Sequence, residues 1–394
     1  MKFSQKFWLP RVTIVLVGVF LATGFAIAAD KPHYVATNDD APPSLNTTVT
    51  FYTVGSNGLL TMKDAVSLGQ GGIAGGYFAA NRVSVLDSGK QECVYASIAS
   101  TGEIEGINVS SLKVVGSASG SAEDTGASNG VGLAVNSKYL YASFTDDSAI
   151  GTFKVLPDCG IKFVGDITVA GLQGGTIDGM FIHGNIMVTS YGDGSIQSFN
   201  ISGGVPVSNG DEQNSTASKK GTSDTYPNGI DITQDGHYAI FGDTSPFTVV
   251  EVSDISSGKL TPTVVYHLGD AINSSNILLS PDETLLYISN NQGDRISAAF
   301  FDASTGKLMK GCASGRLRGY VKDWSYLASL ALEETTGTGG VVYVAEFGAP
   351  SSIAEIKVTS TGTSCTLQEL PKSPVSDPNS PGLLSIGAFP PRPF

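Results

Sequence analysis

The sequence has little charge and few cysteines, histidines or tryptophans. Charged residues make up 15% of the 394-residue chain, which contains four cysteines, four histidines and two tryptophans. Long stretches with helical periodicity are also missing, whereas 48 glycines accompany short apolar runs that alternate with turn residues. Short strands bounded by such turns are typical of all-β proteins. The composition therefore predicts an all-β fold.

Several kinds of site lack support in the sequence. No C-x-x-C pair occurs, so neither a zinc ribbon nor a thioredoxin-like site is indicated. The glycine-rich segment 69–76 lacks the Lys-Ser/Thr pair and the helix of a phosphate-binding loop, and a flexible connection is the better interpretation. No basic patch is visible in a chain of net charge −13. Because nucleic-acid binding relies on cationic contacts to phosphates, we expect no nucleic-acid partner.

The first residues have the features of a secretory signal. Lys2, Lys6 and Arg11 precede an apolar run at residues 12–25, and residues 26–28 read A-x-A. The alternative is an uncleaved membrane anchor. The run is at or below the ~17–25 residues that span a bilayer, which favours cleavage. We therefore expect a signal peptide at residues 1–28 and no membrane span after its removal.

Cleavage would leave a single domain, residues 29–394, in the periplasm or outside the cell. Loss of three cations takes the formal net charge from −13 to −16. Four cysteines in an exported chain permit two disulfides, the alternative being buried free thiols. From the positions of the cysteines on the repeat described next, we predict the pairs Cys93–Cys159 and Cys312–Cys365.

A unit of roughly fifty residues recurs along the chain. Residues 277–308 show it most clearly as a strand, an SPDE turn, a second strand, a loop, a third strand, a turn and a fourth strand. Aligned on the second strand, the units fall at positions 34, 95, 141, 187, 238, 287 and 343. Seven such units predict a seven-bladed β-propeller with four antiparallel strands per blade.

The first unit lacks one strand of the four. If strands are named A to D from the innermost to the outermost, the chain enters the first unit at strand B, near His33 and Tyr34. Residues 382–389 read as a strand with no B strand after it. We predict that this segment is strand A of blade 1 and closes the ring, which removes an open sheet edge.

The alternating strand direction decides which loops share a face. The B–C loops and D–A crossovers lie on one face, called the upper face below, and the A–B and C–D turns lie on the lower face. Long irregular loops on a rigid scaffold are common ligand sites, and these occur on the upper face. Three histidines map to the lower face and His267 to an outer strand, which disfavours a histidine base at the upper face.

Six of the seven B–C loops carry a carboxylate. Turn chemistry is one explanation, because Asp and Gly begin and cap tight loops. The other is a ring of carboxylates that binds a cation such as Ca²⁺, or a polyhydroxylated ligand. No further cofactor is expected.

Several motifs resemble the repeat of the seven-bladed lactonase family. They are SPDE at 280–283, LYISN at 286–290 and TGKL at 305–308, with related motifs in YGDGSI at 191–196 and SGKL at 257–260. That family includes 6-phosphogluconolactonase-like enzymes and fungal carboxymuconate cyclases, and propellers of YVTN type share the same motifs. The resemblance implies a hydrolase or cyclase that acts on a sugar-acid or muconate-type lactone.

The chain departs from the family where the family carries its catalytic residues. A P-H-A-H-like motif in a D–A crossover is replaced by YPNG at 226–229 and NSSN at 273–276. The arginine of an S-N-R-G loop is missing, since residues 289–292 read SNNQ. The family's catalytic residues therefore do not transfer to this sequence.

Two functions remain open on the sequence. A lactonase would need a base and a carboxylate-binding cation at the upper face. The candidate catalytic residues are Asp193, Asp243 and Glu346, and the candidate substrate-binding residues are Arg295, Arg318 and Tyr191. Ion pairing with the acidic loops is the alternative role of the arginines. The second function is a non-catalytic, exported propeller that binds a glycan, a cation or a protein. We expect a monomer in either case.

Overall fold

Seven antiparallel β-sheets make up the part of the chain that the computed structural model describes. This part of the chain contains no helix, and so no helix that is long and apolar enough to cross a membrane. The proposed signal peptide lies outside this part. The described residues are 33–39, 44–72, 81–119, 131–144, 148–215, 227–243, 249–267, 274–290, 295–319, 326–336, 339–347, 351–380, 382, 385–389 and 391.

Each sheet is one blade, and in blades 2 to 7 the strands follow one another along the chain from the inner to the outer position. Blade 1 contains β1 (Tyr34–Asn38), β2 (Thr48–Val54) and β3 (Leu60–Ser67). Blade 2 contains β4 (Val83–Asp87), β5 (Glu92–Ile98), β6 (Glu103–Asn108) and β7 (Lys113–Ser119). Blade 3 contains β8 (Val131–Val135), β9 (Tyr139–Phe144), β10 (Ala149–Val155) and β11 (Ile161–Thr168).

The remaining blades repeat this order. Blade 4 contains β12 (Ile177–His183), β13 (Ile186–Tyr191), β14 (Ser195–Asn200), β15 (Val207–Ser208) and β16 (Gln213–Asn214). Blade 5 contains β17 (Pro227–Ile232), β18 (Tyr238–Asp243), β19 (Val249–Asp254) and β20 (Thr261–His267). Blade 6 contains β21 (Ser274–Leu279), β22 (Leu285–Asn290), β23 (Ile296–Asp302) and β24 (Lys307–Ala313). Blade 7 contains β25 (Tyr326–Thr336), β26 (Gly339–Phe347), β27 (Ser352–Ser360), β28 (Cys365–Glu369) and β29 (Val375–Ser376).

The seven-bladed propeller predicted from the repeat is confirmed, with one modification. In blades 4 and 7 the outer position is shared by two short strands, because β15 and β16 both pair with β14 and β28 and β29 both pair with β27. In blade 4 the interruption contains Asp211, whose carboxylate accepts hydrogen bonds from the amide and hydroxyl of Ser198 and from the amide of Leu260. The interruption thus connects blade 4 to blade 5.

The ring closes through the C-terminal strand, as predicted. Strand β30 (Ser385–Phe389) pairs antiparallel with β1, with Tyr34 opposite Phe389 and Asn38 opposite Ser385. The inner strands contact their neighbours around the ring in the order β4, β8, β12, β17, β21, β25 and β30, and β30 returns to β4. Blade 1 therefore combines the first and last strands of the described chain.

Each blade is buried on both faces by its neighbours. Successive side chains of a strand point to opposite faces, so β13 directs Met187 and Tyr191 toward blade 3 and Val188 toward blade 5. This explains why the second strands are nearly continuous apolar runs rather than alternating ones, as expected for sheets covered on both sides.

Two disulfides join adjacent blades. Cys93 in β5 is bonded to Cys159, which follows β10, and Cys312 in β24 is bonded to Cys365 in β28. The first bridge joins blade 2 to blade 3 and the second joins blade 6 to blade 7. Both pairs are those predicted from the sequence.

Three histidines lie toward the lower face, as the strand order predicts, and His267 ends the outer strand β20 at the upper edge of blade 5. His183 ends inner strand β12 at the lower face, and His237 precedes β18 there. His237 stacks on Tyr238 with a centroid distance of 4.2 Å, and its Nε2 lies 3.3 Å from Oδ2 of Asp254. These contacts are within one blade and indicate a structural role.

Candidate functional site

At the upper face, the seven inner strands form an inner ring, and those of blades 4 to 7 differ in their pairing from those of blades 1 to 3. In blades 4 to 7 each inner strand has a register shift against its B strand near its first residues. The inner strands of blades 1 to 3 pair without such a shift. A β-bulge leaves one residue unpaired and redirects its side chain, and bulges are common beside active sites. The unpaired positions are 178, 228, 275 and 328.

Asp178 occupies the bulge of blade 4. Ile177 pairs with Tyr191 and Gly179 pairs with Ser190, so Asp178 is the extra residue. Its side chain is buried, with 2% exposure, and Oδ2 has no hydrogen-bond partner. Burial raises the pKa of Asp178 to about 8, with the neighbouring charge of Asp193 contributing to the shift. The side chain is thus a neutral carboxylic acid near neutral pH.

Arg82 lies at the upper end of blade 2, on the side of the ring without bulges. Among the described residues it is the largest side chain that is fully buried, with 0% exposure. Its carbonyl oxygen accepts hydrogen bonds from Nδ2 of Asn38 at 3.0 Å and from the amide of Ser97 at 3.1 Å. The next amide, that of Val83, donates to Oγ of Ser385 at 3.2 Å. Groups from blades 1 and 2 therefore fix the backbone that carries this guanidinium.

Asp193, a candidate catalytic residue, is used by the scaffold. Its carboxylate accepts hydrogen bonds from the amides of Gln173 at 2.7 Å and Gly175 at 3.2 Å, which belong to the D–A crossover before blade 4. It also accepts from the amide and hydroxyl of Ser195, at 3.0 and 2.6 Å. Partial burial would raise the pKa of Asp193, but these hydrogen bonds outweigh it and lower that pKa. Such a carboxylate is a weak base.

Tyr191, a candidate substrate-binding residue, is fully buried between blades 3 and 4. Its hydroxyl donates to Oε1 of Gln197 at 2.7 Å, within the same blade. Burial raises the pKa of Tyr191 above its usual value. The structure thus places this side chain in a blade interface, where it contacts protein groups.

Arg318, also a candidate substrate-binding residue, holds the outer edge of blade 7. Its Nε lies 3.2 Å from Oε2 of Glu369, and its backbone amide donates to the same oxygen at 2.9 Å. Its two terminal nitrogens donate to the carbonyl oxygens of Leu370 and Pro371. This geometry fits the ion-pairing alternative for the arginine, between blades 6 and 7.

Glu346, another candidate catalytic residue, is buried beside that cluster. Oγ of Ser352 donates to its Oε2 at 2.5 Å, while its Oε1 is buried without a hydrogen-bond partner. A Cβ added to Gly319 would clash with Oε2, so the crossover after blade 6 passes directly over the carboxyl. Burial raises the pKa of Glu346 to about 7, the bond from Ser352 opposes the shift and Glu369 adds to it.

Replacing Glu346 with Gln is expected to flatten the pH dependence of stability. Folding raises the pKa of Glu346 from 4.5 to about 7, so the folded protein holds this proton more tightly than the unfolded chain. The contribution of Glu346 to stability is therefore fully present below pH 4.5 and is lost as the pH rises through 7. Glutamine cannot ionise, so the variant should gain about 1–3 kcal/mol relative to wild type between pH 5 and 8. Urea unfolding of both proteins at pH 5 and pH 8 measures this difference in unfolding free energy. Equal pH slopes for wild type and E346Q would contradict the prediction, and D166N, at an exposed position of β11, is the control.

The other two candidates are placed only in part. Asp243 ends β18, where its backbone pairs with Pro227 and Val249, and its side chain lies outside the described residues. Arg295 is exposed and precedes β23. Across the described ranges, no group of three or more His, Cys, Asp or Glu side chains is arranged to hold a metal ion. The predicted candidates are therefore not brought together into one cluster by the described part of the chain.

The sequence gives weak signals for the residues it missed. Arg82 is an isolated arginine next to an apolar strand, and Asp178 interrupts the apolar run of an inner strand. A further pattern, GASNG at 126–130, matches the letters of the G-x-S-x-G elbow. It lies outside the described residues, between outer strand β7 and inner strand β8 of a propeller. The strand-turn-helix context that gives this motif its meaning is not the one predicted here.

Comparisons with known proteins concern the fold. No protein-family model and no curated protein match the chain. The periplasmic gluconolactonase of Pseudomonas aeruginosa is similar in structure, with a TM-score of 0.67 and 11% identity over 91% of this chain and 99% of that one. A candidate 6-phosphogluconolactonase from Bacteroides fragilis has a TM-score of 0.63 and 14% identity over 92% and 99%.

A third similar structure has no known function. This protein, from Desulfotomaculum acetoxidans, has a TM-score of 0.65 and 14% identity over 92% of this chain and all of that one. At these identities the similarity concerns architecture, and it extends over nearly the whole length of each relative. The chain is therefore a seven-bladed β-propeller built like the lactonase-type propellers.

Proposed function

We propose that the protein is an exported lactonase that opens a sugar-acid or muconate-type lactone at the upper end of its inner ring. The observation that carries the proposal is Arg82, a fully buried guanidinium whose backbone is fixed at that end. A cation in a site of low dielectric interacts strongly with a substrate carboxylate or with the oxyanion formed when an ester carbonyl is attacked.

Two further features support the proposal. Asp178 supplies an acid group at the same end of the ring, in blade 4. The two disulfides favour an oxidising compartment, which agrees with the signal-like N-terminus. The likeness to a periplasmic gluconolactonase points to the same substrate class.

A panel of lactones, including gluconolactone, 6-phosphogluconolactone and muconolactone, tests the proposal. Wild type should hydrolyse at least one of them, and Arg82→Gln should lower kcat/KM by about 100-fold or more, as expected when a group that stabilises the oxyanion is lost. Lys154→Gln removes an exposed cation near the lower face and should leave the rate unchanged. Circular dichroism and melting curves show whether each variant is folded.

Arg318→Ala is the informative third variant. If its loss of turnover exceeded that of Arg82→Gln in folded protein, the site would lie at blades 6 and 7 instead of the inner ring. If wild type hydrolysed no lactone in the panel, the hydrolase proposal would be rejected.

A second candidate function is a non-catalytic propeller that binds a glycan, a cation or a protein. It is favoured by the structural use of Asp193 and Arg318, whose polar groups contact neighbouring parts of the scaffold. Calorimetric titration with gluconate, a neutral oligosaccharide and Ca²⁺ separates it from the first. Binding without turnover would support it.

A further inference from the structure

Two buried polar groups with unused hydrogen-bonding capacity occupy adjacent positions on paired strands at the upper end of blade 4. Oδ2 of Asp178 has no partner, and Oγ of Ser190 is also buried without one. Ser190 pairs with Gly179, the residue after Asp178, so the two side chains come from neighbouring positions of paired strands. Buried polar groups are nearly always hydrogen-bonded, and an exception needs an explanation such as a ligand or a catalytic role.

The carboxyl of Asp178 is held in place by the chain around it. The bulge fixes its backbone between two paired residues. A Cβ added to Gly192 would lie 3.3 Å from Oδ2, so the start of the B–C loop lies against the carboxyl and only a small residue fits there without crowding. Asp178 thus has a defined position with one oxygen unused.

The surroundings of Asp178 favour its protonated form. The neighbouring titratable groups are Asp193 in the B–C loop, whose charge acts on Asp178, and Tyr191 on β13, which pairs with Ile177. Asp231 lies on β17, the adjacent inner strand. Asp193 is kept ionised by its hydrogen bonds, and its negative charge opposes a second one on Asp178. Asp231 already accepts a hydrogen bond from the amide of Leu279 at 2.7 Å, and therefore serves the neighbouring inner strand. Among the described side chains, no cation contributes to the pKa shift of Asp178.

We propose that Asp178 is the proton donor of the lactone-opening reaction, with Ser190 positioning the same substrate oxygen by a hydrogen bond. The inference rests on the function proposed above. Water adds to the carbonyl carbon as the bond from that carbon to the ring oxygen breaks. The proton of Asp178 goes to the ring oxygen, which becomes a hydroxyl. The carboxylate of Asp178 then takes up the proton that the attacking water loses. The net change is lactone plus water to hydroxy acid.

Steady-state kinetics of Asp178→Asn test the role. This variant keeps the shape and a donor but cannot transfer a proton, so kcat should fall by about 100-fold or more while KM changes little. The fall in wild-type kcat on the alkaline side, near pH 8, should disappear from the residual activity of the variant. Ser190→Ala should raise KM more than it lowers kcat. Asp166→Asn, at an exposed position of β11, is the matched control and should behave as wild type.

A spectroscopic measurement keeps the test independent of variant activity. The infrared band of a protonated carboxyl should be lost from wild type between about pH 6 and about pH 10, and this part of the difference spectrum should be absent from Asp178→Asn. If wild type hydrolyses a lactone and Asp178→Asn retains its rate and pH profile, the inference is wrong while the lactonase function stands. If wild type hydrolyses no lactone, both are rejected.

Discussion

A chain that lacks residues 380–394 is expected to lose cooperative unfolding. The deletion removes β30, which supplies five backbone pairs to β1 and contacts the inner strands of blades 7 and 2. It also removes Ile386 and Phe389, which are buried in the cores on either side of blade 1. Without them β1 becomes an open sheet edge, and the ring loses the one blade that joins its first and last parts.

The comparison uses two further chains. Removing residues 391–394 leaves β30 intact and should preserve a sharp melting transition. Phe389→Ala keeps the strand but empties a buried site, and should cost about 3–5 kcal/mol in unfolding free energy while the transition remains cooperative. Calorimetry and urea titration measure all three. A wild-type melting curve for the chain lacking 380–394 would show that β30 does not close the ring in solution.

Asp377→Ala is expected to be the most damaging single polar substitution in the crossover that leads to β30. The carboxylate is buried and accepts hydrogen bonds from Oγ1 of Thr37 at 3.2 Å, Oγ1 of Thr50 at 3.4 Å and the amide of Asn379 at 3.0 Å. Alanine would remove this acceptor from the buried hydroxyls of Thr37 and Thr50 and from the amide of Asn379, and would leave Thr37 only a long bond to the carbonyl oxygen of Thr50 at 3.4 Å. Since each orphaned group costs about 1–3 kcal/mol, the unfolding free energy should fall by about 2–4 kcal/mol.

Asp64→Ala is the matched control for this substitution. Asp64 lies on β3, the outer strand of the blade that contains Thr37 and Thr50; it is exposed and accepts a hydrogen bond from the amide of Ala65. Its replacement should change the unfolding free energy by less than about 0.5 kcal/mol. Urea midpoints that shift equally in the two variants would show that the Asp377 network contributes nothing beyond an ordinary surface aspartate.

The architecture could be predicted from the sequence because the same four-strand pattern recurs seven times. The spacing of the second strands gave the number of blades, and the missing inner strand of the first unit pointed to the C-terminal segment as its replacement. The disulfide pairs followed once each cysteine had a position on this repeat. None of these inferences depends on the placement of a single side chain.

The candidate site was harder to predict, for two physical reasons. Asp193 looked available because it lies in an upper loop, but four hydrogen bonds from its own blade and the adjoining crossover fill its carboxylate. Asp178 was missed because a bulge adds a residue to one strand only, so simple alternation assigns the wrong face from that point onward. The burial of Tyr191 could have been foreseen, since it shares the parity of Met187 along β13.

The pairing of β1 with β30 also determines the order in which this protein can be assembled. Blades 2 to 7 are built from strands close together in sequence, so each can form as soon as its own segment has been synthesised. Both disulfides join consecutive blades and can form before the chain is complete. Blade 1 has to wait for its last strand. Until residues 385–389 arrive, β1 presents an unpaired edge, and that edge is where a chaperone would protect the growing chain from aggregation.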